Sequence, residues 1–443
     1  MRKATIVNPI QPPTTAPQKE ADSRNTTSWR IVVMLMIFAA LGHFNRVGIS
    51  VAGDEIFIPQ LGISETRMGW VYTAFLIVYT IGMLPGGWLI DRIGSGRSLA
   101  LYGVTMGTFV ALTGILGWVT DSANSLWLSL LVIRGLAGLC SAPLHPGAAH
   151  AVSDVMHGRH RATANGMVTA GALIGIACCF PVFGWLIDQL TWPWAFIISG
   201  AALIVYGGFW HLFASPSLPS RSPSADATAK QSIQAPASSA WFLLGNSNLW
   251  LLALSYAAYG YFQYLFFYWM GYYFKEVLHV PDVDARWSQF WIMLAQGAGM
   301  AFGGLSTDVV CRFFGTTVGR RCIVMTGMGM GALFGLLGVN VTGQWNVAVC
   351  LAISMASLGM CEGVFWTTAT DIGGRSRGFS GAFMNTGGNV GGLVAPVLTP
   401  IMAEQMGWAR AIVVACFISA VGGLVWFFIK FPSETHPADN VEN

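Results

Sequence analysis

Twelve predominantly apolar stretches of about 20 residues or more recur along the chain, separated by short polar breaks. They lie near 30–52, 68–90, 98–118, 125–149, 162–187, 193–213, 246–273, 287–306, 320–341, 345–369, 378–402 and 409–429. A bilayer core of roughly 30 Å needs a helix of about 20 residues, and in lipid the backbone must satisfy its own hydrogen bonds, so each stretch predicts a membrane-spanning helix. Between the sixth and the seventh the pattern stops: residues 214–240 are rich in Ser, Pro and Ala, carry Arg221 and Lys230, and read as a cytoplasmic linker. The predicted architecture is an all-α membrane protein of twelve transmembrane helices in two pseudo-symmetric six-helix bundles, 29–213 and 241–430. Polar, disordered tails are expected over 1–28 and 431–443. The first apolar run is too long for a signal peptide and has no small-residue cleavage site.

Composition agrees. Hydrophobic residues make up 54% of the 443 and charged residues 10%, against roughly 45–50% and about 25% in a soluble domain, so most of the exterior must face lipid. A net charge of +3 is too small and too scattered for a nucleic-acid partner. Six of the eight cysteines, Cys140, Cys178, Cys179, Cys350, Cys361 and Cys416, lie in apolar runs without metal-ligand or framework spacing and read as small packing residues. Basic residues resist translocation, and placing both termini in the cytoplasm puts 17 of the 23 Lys and Arg on that side. Arg67, Lys275, Arg286 and Arg410 then fall outside, and Arg46 and Arg134 fall within spans.

The halves repeat one another. Gly86, Gly87 and Asp91 recur 217 residues later as Gly303, Gly304 and Asp308; at an offset of 216, Arg161, Gly171, Gly175, Gln189 and Trp192 meet Arg377, Gly387, Gly391, Gln405 and Trp408, and Asp188 meets Glu404. Charged, Trp and Gly positions kept in step point to a duplication. Paired bundles of this kind expose a midplane site to each side in turn.

The stretch from Gly87 through Asp91, Arg92, Gly94 and Gly96 to Arg97 resembles the loop signature of the major facilitator superfamily. Within that superfamily the chain resembles the anion:cation symporter family of sugar-acid and organic-anion carriers. The likeness is carried by Phe44-Asn45-Arg46 through Ala52, by Phe75 to Tyr79, by Arg134 with Gly138 through Pro143 and Pro146, and by Asn385, Gly388, Asn389, Gly392 and Pro396. It implies the major facilitator fold. Asp91, Arg92, Arg97 and Asp308 suit a cytoplasmic charge clasp that locks one conformation and releases in the other, or else mark the membrane boundary.

A charge at mid-membrane costs at least roughly 2.5–3.5 kcal/mol, so it marks a functional candidate. Arg46 lies deep in the first span, and its planar guanidinium can grip a carboxylate with two parallel bonds. The resemblance implies that it contacts an anionic substrate; the alternative is a structural arginine between helices. Arg134 resembles the family arginine in the network joining substrate and proton, or else forms a permanent internal ion pair. Glu362, in the tenth span, can exchange a proton or pair with Arg46 or Arg134.

Proton-coupled bacterial members commonly carry an acid just before the first arginine and a Glu seven residues after the second, where this chain has Asn45 and Ser141. Matching Cys140-Ser141 with Cys361-Glu362, at an offset of 221, moves the expected proton site to Glu362. His43 and His145 read as satisfied buried histidines, and His145 with His150 lacks the further ligands of a metal site. Tyr261, Gln263 and Tyr264 fall near the middle of the aromatic seventh span and suit a polyol. The resemblance also implies Tyr79, Trp366, Asn385 and Asn389 near the substrate.

The expectation is a secondary carrier, monomeric in a bacterial inner membrane, importing a small organic anion such as an aldonate or hexuronate by proton symport. A small sulfonate or other carboxylate would use the same arginine. An efflux antiporter for amphipathic compounds would not need Arg46, and a membrane sensor would want a soluble output domain. No nucleophile elbow, metal cluster or phosphate-cradling loop suggests an enzyme, no Walker motif suggests ATP, and no cofactor is expected. If Glu362 carries the coupling proton, Glu362→Gln abolishes proton-driven uptake in proteoliposomes; uptake that persists at the native rate removes Glu362 from that role.

Overall fold

Two of the twelve spans are broken in the middle, and the breaks organise the rest. The structure, a computed structural model, describes residues 16–156, 160–218, 243–374 and 377–430. Among them the first half forms α1 (Ala16–Ala52), α2 (Glu65–Ile93), α3 (Ser95–Val119), α4 (Ala123–Ser141), α5 (Leu144–Val155), α6 (His160–Leu190) and α7 (Trp192–Phe213). The second half forms α8 (Ser247–Tyr272), α9 (Asp282–Phe314), α10 (Thr316–Gly338), α11 (Gln344–Gly359), α12 (Glu362–Gly373), α13 (Arg377–Met406) and α14 (Trp408–Leu424). Helices α4 and α5 together fill the fourth predicted span and α11 and α12 the tenth, so fourteen helices make twelve crossings. Most of the predicted linker and the whole of the C-terminal tail lie outside the described residues. Residues 16–28 of the predicted N-terminal tail are helical, because α1 begins at Ala16.

By length and composition, eight helical segments among the described residues are apolar enough to cross a membrane. The other four crossings, α2, α8, α9 and α13, are 26 to 33 residues long. These are the helices that carry polar, tyrosine and glycine positions into the interface between halves, which lowers their apolarity without shortening them. Helix α6 packs on α9 and α13 packs on α2, joining the bundles by the same pair in each direction.

The duplication has a packing cause. A Cβ on Gly175 of α6 would overlap the Ala40 carbonyl oxygen of α1, and a Cβ on Gly391 of α13 would overlap the Ala257 carbonyl oxygen of α8. Both repeated glycines therefore let a helix pair approach backbone to backbone. Gly86 lies against Ala142 and Pro143 at the first break, and Gly303 against Met360 at the second. At the first break Pro143 has no N–H to continue the ladder; the second has no proline and instead tightens through a bond from Cys361 N to Leu358 O of 3.0 Å.

One repeated position is strained. The turn between α13 and α14 uses Gly407 at φ 87, ψ 155, and the equivalent turn between α6 and α7 uses Thr191 at φ 89, ψ 156. A β-branched residue there costs on the order of 1–3 kcal/mol, partly offset by the roughly 0.5–1 kcal/mol of extra chain entropy that a glycine loses on folding. Thr191→Gly should therefore raise the thermal midpoint of the detergent-purified chain by ~1 kcal/mol of stability, and Gly407→Val should lower it. An unchanged or lower midpoint for Thr191→Gly would refute the strain.

Candidate functional site

Arg46 is half-buried in the C-terminal third of α1, with no carboxylate partner among the described residues. Its guanidinium donates to the Tyr264 hydroxyl of α8 at 2.8 Å and lies over the rings of Phe75, Tyr79 and Tyr264 at 5.2, 5.5 and 5.6 Å. Tyr264 belongs to the other half, so the charge sits where the two bundles meet. Arg134 of α4 is 1% exposed; it donates to the Arg46 carbonyl at 2.7 Å and stands 4.9 Å from the Phe75 ring centre. Its Nε and Nη1 have no hydrogen-bond partner. The permanent ion pair weighed for Arg134 is absent among the described residues. Phe75 thus holds two guanidinium groups on one ring, where the π-face offsets part of their lost hydration.

Glu362 is not paired with either arginine. It is the first residue of α12, and its Oε1 accepts from the Tyr256 hydroxyl at 2.8 Å and from Trp366 Nε1 at 2.9 Å, while Oε2 is buried without a partner. Tyr256 is eight residues before Tyr264 on α8, about 12 Å along the axis toward the cytoplasm. The structure also corrects the proposed equivalence with Ser141. The helix bounds at the two breaks, Ser141 and Leu144 in the first half and Gly359 and Glu362 in the second, align at an offset of 218, which sets Glu362 opposite Leu144, the residue before His145. Asn45 donates to the Leu41 carbonyl at 2.9 Å and Ser141 to the Ala137 carbonyl at 2.9 Å, so both are satisfied within their own helices.

The remaining candidates divide. Asn385, Gly388, Asn389 and Gly392 share one face of α13, and the rings of Tyr256 and Tyr264 lie over the two glycines. Both asparagines are half-buried there, with no hydrogen bond among the described residues. Tyr79 is buried beside Arg46, and Trp366 is turned to Glu362. Tyr261 is not brought to this space: its hydroxyl lies 3.2 Å from Thr399 Oγ1, and its ring lines an outer groove with Val390, Val394 and Phe417. Gln263 is half-buried on α8 and makes no hydrogen bond among the described residues. Tyr264 is the one of the three seventh-span candidates bonded to Arg46, while Tyr261, about 60° away around α8, is tied to Thr399.

A charge clasp stands at the opposite end of the molecule from Asp91, Arg92, Arg97 and Asp308. Arg286, at the start of α9, binds Glu55, in the π-helical turn Gly53–Phe57 that follows α1, through Nε and Nη2 (2.8 and 2.7 Å) and Asp188 at the end of α6 through Nη1 and Nη2. Arg286 is 4% and Glu55 6% exposed, while the Asp188 side chain is 43% exposed, so Glu55 carries most of the dehydrated interaction. A weaker counterpart runs the other way across the pseudo-axis: Tyr272 donates to Glu65 at 2.6 Å and Thr66 to Glu404 at 2.7 Å. Between this seal and Arg46, the Tyr72 and Tyr268 rings stack across the halves at 4.6 Å. The outer end is therefore closed over the arginines.

At the cytoplasmic end Arg92 lies over the Trp88 ring at 5.1 Å. Arg97 and Asp308 are exposed, and none of the three makes an ion pair among the described residues; the Asp91 side chain lies outside them. The outer clasp was missed because its members are 98 and 231 residues apart. Its one sequence signal was Asp188, already matched to Glu404 in the repeat.

Two pseudo-symmetric bundles, a midplane site shared between them and a seal at one end are the parts of an alternating-access transporter. The chain belongs to the Major Facilitator Superfamily, whose model matches residues 35–376; it is an integral, multi-pass membrane transporter and not an enzyme. It is similar to the D-galactonate transporter of Escherichia coli, at 24% identity over 90% of this chain and 94% of that protein. It is also similar to a probable galactarate/D-glucarate transporter of Bacillus subtilis, at 26% over 83% and 84%, and to a probable sulfoacetate transporter of Cupriavidus necator, at 26% over 90% and 92%. Among solved structures, a bacterial homolog to the human lysosomal transporter Spinster, inward-facing and unoccupied, matches with a TM-score of 0.74 at 15% identity, covering 91% of this chain and 97% of that one. That likeness is one of fold.

Breaking a buried pair by removing one partner costs about 3–5 kcal/mol, so Glu55→Gln should shift the population toward an outward-open state. A Thr73→Cys reporter, at a buried interface position whose hydroxyl bonds the Leu393 carbonyl at 2.9 Å, should then react at least about tenfold faster with an impermeant maleimide added outside. Equal rates with and without Glu55→Gln would rule the clasp out as the outer gate.

Proposed function

We propose that the protein imports a small organic anion, a sugar acid of the aldonate or hexuronate class, by proton symport across the inner membrane of a bacterium. The observation that carries this reading is Arg46 at the junction of the halves, with no carboxylate partner among the described residues. A guanidinium taken from water without a counter-ion is waiting for one, and a carboxylate between Arg46 and the free donors of Arg134 supplies it with bidentate geometry. Hydroxyl groups on the same molecule find Asn385, Asn389, Tyr79 and Tyr264, with Gln263 and Trp366 further along the space. Tyr261 has the least support of the substrate-contacting candidates.

In this reading Glu362 is the coupling carboxylate of the second half. The Tyr256 hydroxyl and Trp366 Nε1 donate to its Oε1, and its buried Oε2, without a hydrogen-bond partner, is where a proton is held. The cytoplasmic charges Asp91, Arg92, Arg97 and Asp308 close the inner end when the outer clasp opens, so that one seal forms as the other separates.

A sulfonate would satisfy the same arginines, and the similarity to a sulfoacetate transporter favours that as the second substrate class. An efflux carrier for amphipathic compounds is disfavoured by two uncompensated cations, which such cargo would leave unpaired.

Thermal-shift titration with D-galactonate, galactarate, a hexuronate and sulfoacetate should select at least one ligand for the native chain, and Arg46→Ala should weaken it by at least about 100-fold, the loss of a charge-assisted bidentate contact worth ~3 kcal/mol. Equal binding by Arg46→Ala would overturn the assignment of the anion site.

A further inference from the structure

The first half holds a counterpart of Glu362 that no reading above uses. His145 is the second residue of α5, just past the first break, one residue beyond Leu144, which the helix starts set opposite Glu362. Glu362 is bonded to α8, the first helix of its half, through Tyr256. His145 is bonded to α1, the first helix of its own half: its Nε2 lies 3.3 Å from His43 Nε2. Each half thus places a titratable side chain at the start of the second segment of its broken span, tied to its own first helix.

The hydrogen bonds fix the protons. His43 Nδ1 lies 3.0 Å from the Ala39 carbonyl oxygen, which only accepts, so Nδ1 carries the hydrogen. In the neutral pair His43 Nε2 then holds a lone pair, and His145 Nε2–H donates to it. His145 Nδ1 is left with a lone pair, on a ring that is half-buried rather than sealed. One proton can add at that nitrogen without breaking either bond, and the pair takes no second one without losing the contact between the rings.

The surroundings make that proton conditional. Arg46, one turn beyond His43 on α1, is the charged residue that acts on both imidazoles. From the neighbouring helices come the Tyr102 hydroxyl of α3, set against Gly42, Tyr79 of α2, Cys179 of α6 on the Phe44 carbonyl, and Arg134 of α4 on the Arg46 carbonyl. None is a carboxylate, and the positive end of α5 adds to the same side. A proton on the pair therefore meets the Arg46 charge until an anion covers it.

We infer that the His43–His145 pair is a second proton site, filled when an anion binds Arg46 and emptied when it leaves. Coupling between two sites is reciprocal, so the proton strengthens the anion as much as the anion strengthens the proton. This rests on the organic-anion reading, and it supplies the first half with the proton acceptor that Asn45 and Ser141 do not provide.

The test uses the full-length purified chain with D-galactonate and galactarate as probes, measuring anion affinity against pH and proton uptake with an indicator dye in weak buffer. Raising the pH removes the linked proton, so native affinity should fall by about tenfold per pH unit for each proton linked. His145→Gln should keep anion binding at high pH, where the pair is neutral, and should lose one linked proton from both measurements. Glu362→Gln in the same chain should leave affinity independent of pH. His43→Gln, which retains an acceptor for His145, should preserve the linkage that His43→Leu weakens, whereas a merely structural pair would shift stability and leave the slope alone. An unchanged slope and unchanged proton uptake in His145→Gln overturn this inference while the anion site stands. A native chain that binds neither probe, with Arg46→Ala no different, overturns both.

Discussion

Two guanidinium groups share one phenylalanine ring where the halves meet, with no carboxylate paired to either among the described residues, and this uncompensated charge constrains the rest of the site. Arg46 and Arg134 are held by π-faces, one tyrosine hydroxyl and a backbone carbonyl. Neutral donors and acceptors of this kind orient a cation but do not cancel it. The protein therefore keeps a standing demand for an anion at the point where its halves meet. Bidentate binding of a carboxylate or sulfonate is the direct way to meet that demand.

The duplication explains how the charge can be shown to one side at a time. Backbone contacts at Gly175 and Gly391, and at the breaks beside Gly86 and Gly303, make each half a firmly packed unit. Contacts between halves include one such backbone approach, Gly69 of α2 against Pro396 of α13, and the Tyr72–Tyr268 stack. The others are polar bonds at the outer end and mid-level: Arg286 with Glu55 and Asp188, Tyr272 with Glu65, Thr66 with Glu404 and Thr73 with the Leu393 carbonyl. Those polar bonds can be exchanged for water as the interface opens. The two arms of the outer seal are equivalent in position but unequal in charge, so most of the closing energy falls on Arg286.

The two broken spans put chemistry at equivalent points of unlike halves. His145 and Glu362 begin the second segments of those spans, one bonded to a histidine and the other to a tyrosine and a tryptophan. One lies within a helical turn or so of the first arginine and the other two turns toward the cytoplasm. Duplication supplied the positions, and divergence made one an imidazole and the other a carboxylate.

How much of this the sequence determined follows from which forces are local. Lipid imposes a minimum length and apolarity on every crossing, so the twelve spans, their order and the split into halves could be read from one dimension, and glycines at backbone contacts kept the repeat visible. Arg46 stood out because a charge in an apolar run is anomalous whatever its surroundings. Its partner did not: Tyr264 is 218 residues away, one of several tyrosines in its span, and only packing separates it from Tyr261, which is tied to Thr399. The outer clasp, the histidine pair and the placing of Glu362 opposite Leu144, beside His145, rather than Ser141 were likewise decided by tertiary structure. Each depends on which faces of distant helices meet and on where two helices break, and those are set by packing between elements that no local pattern records.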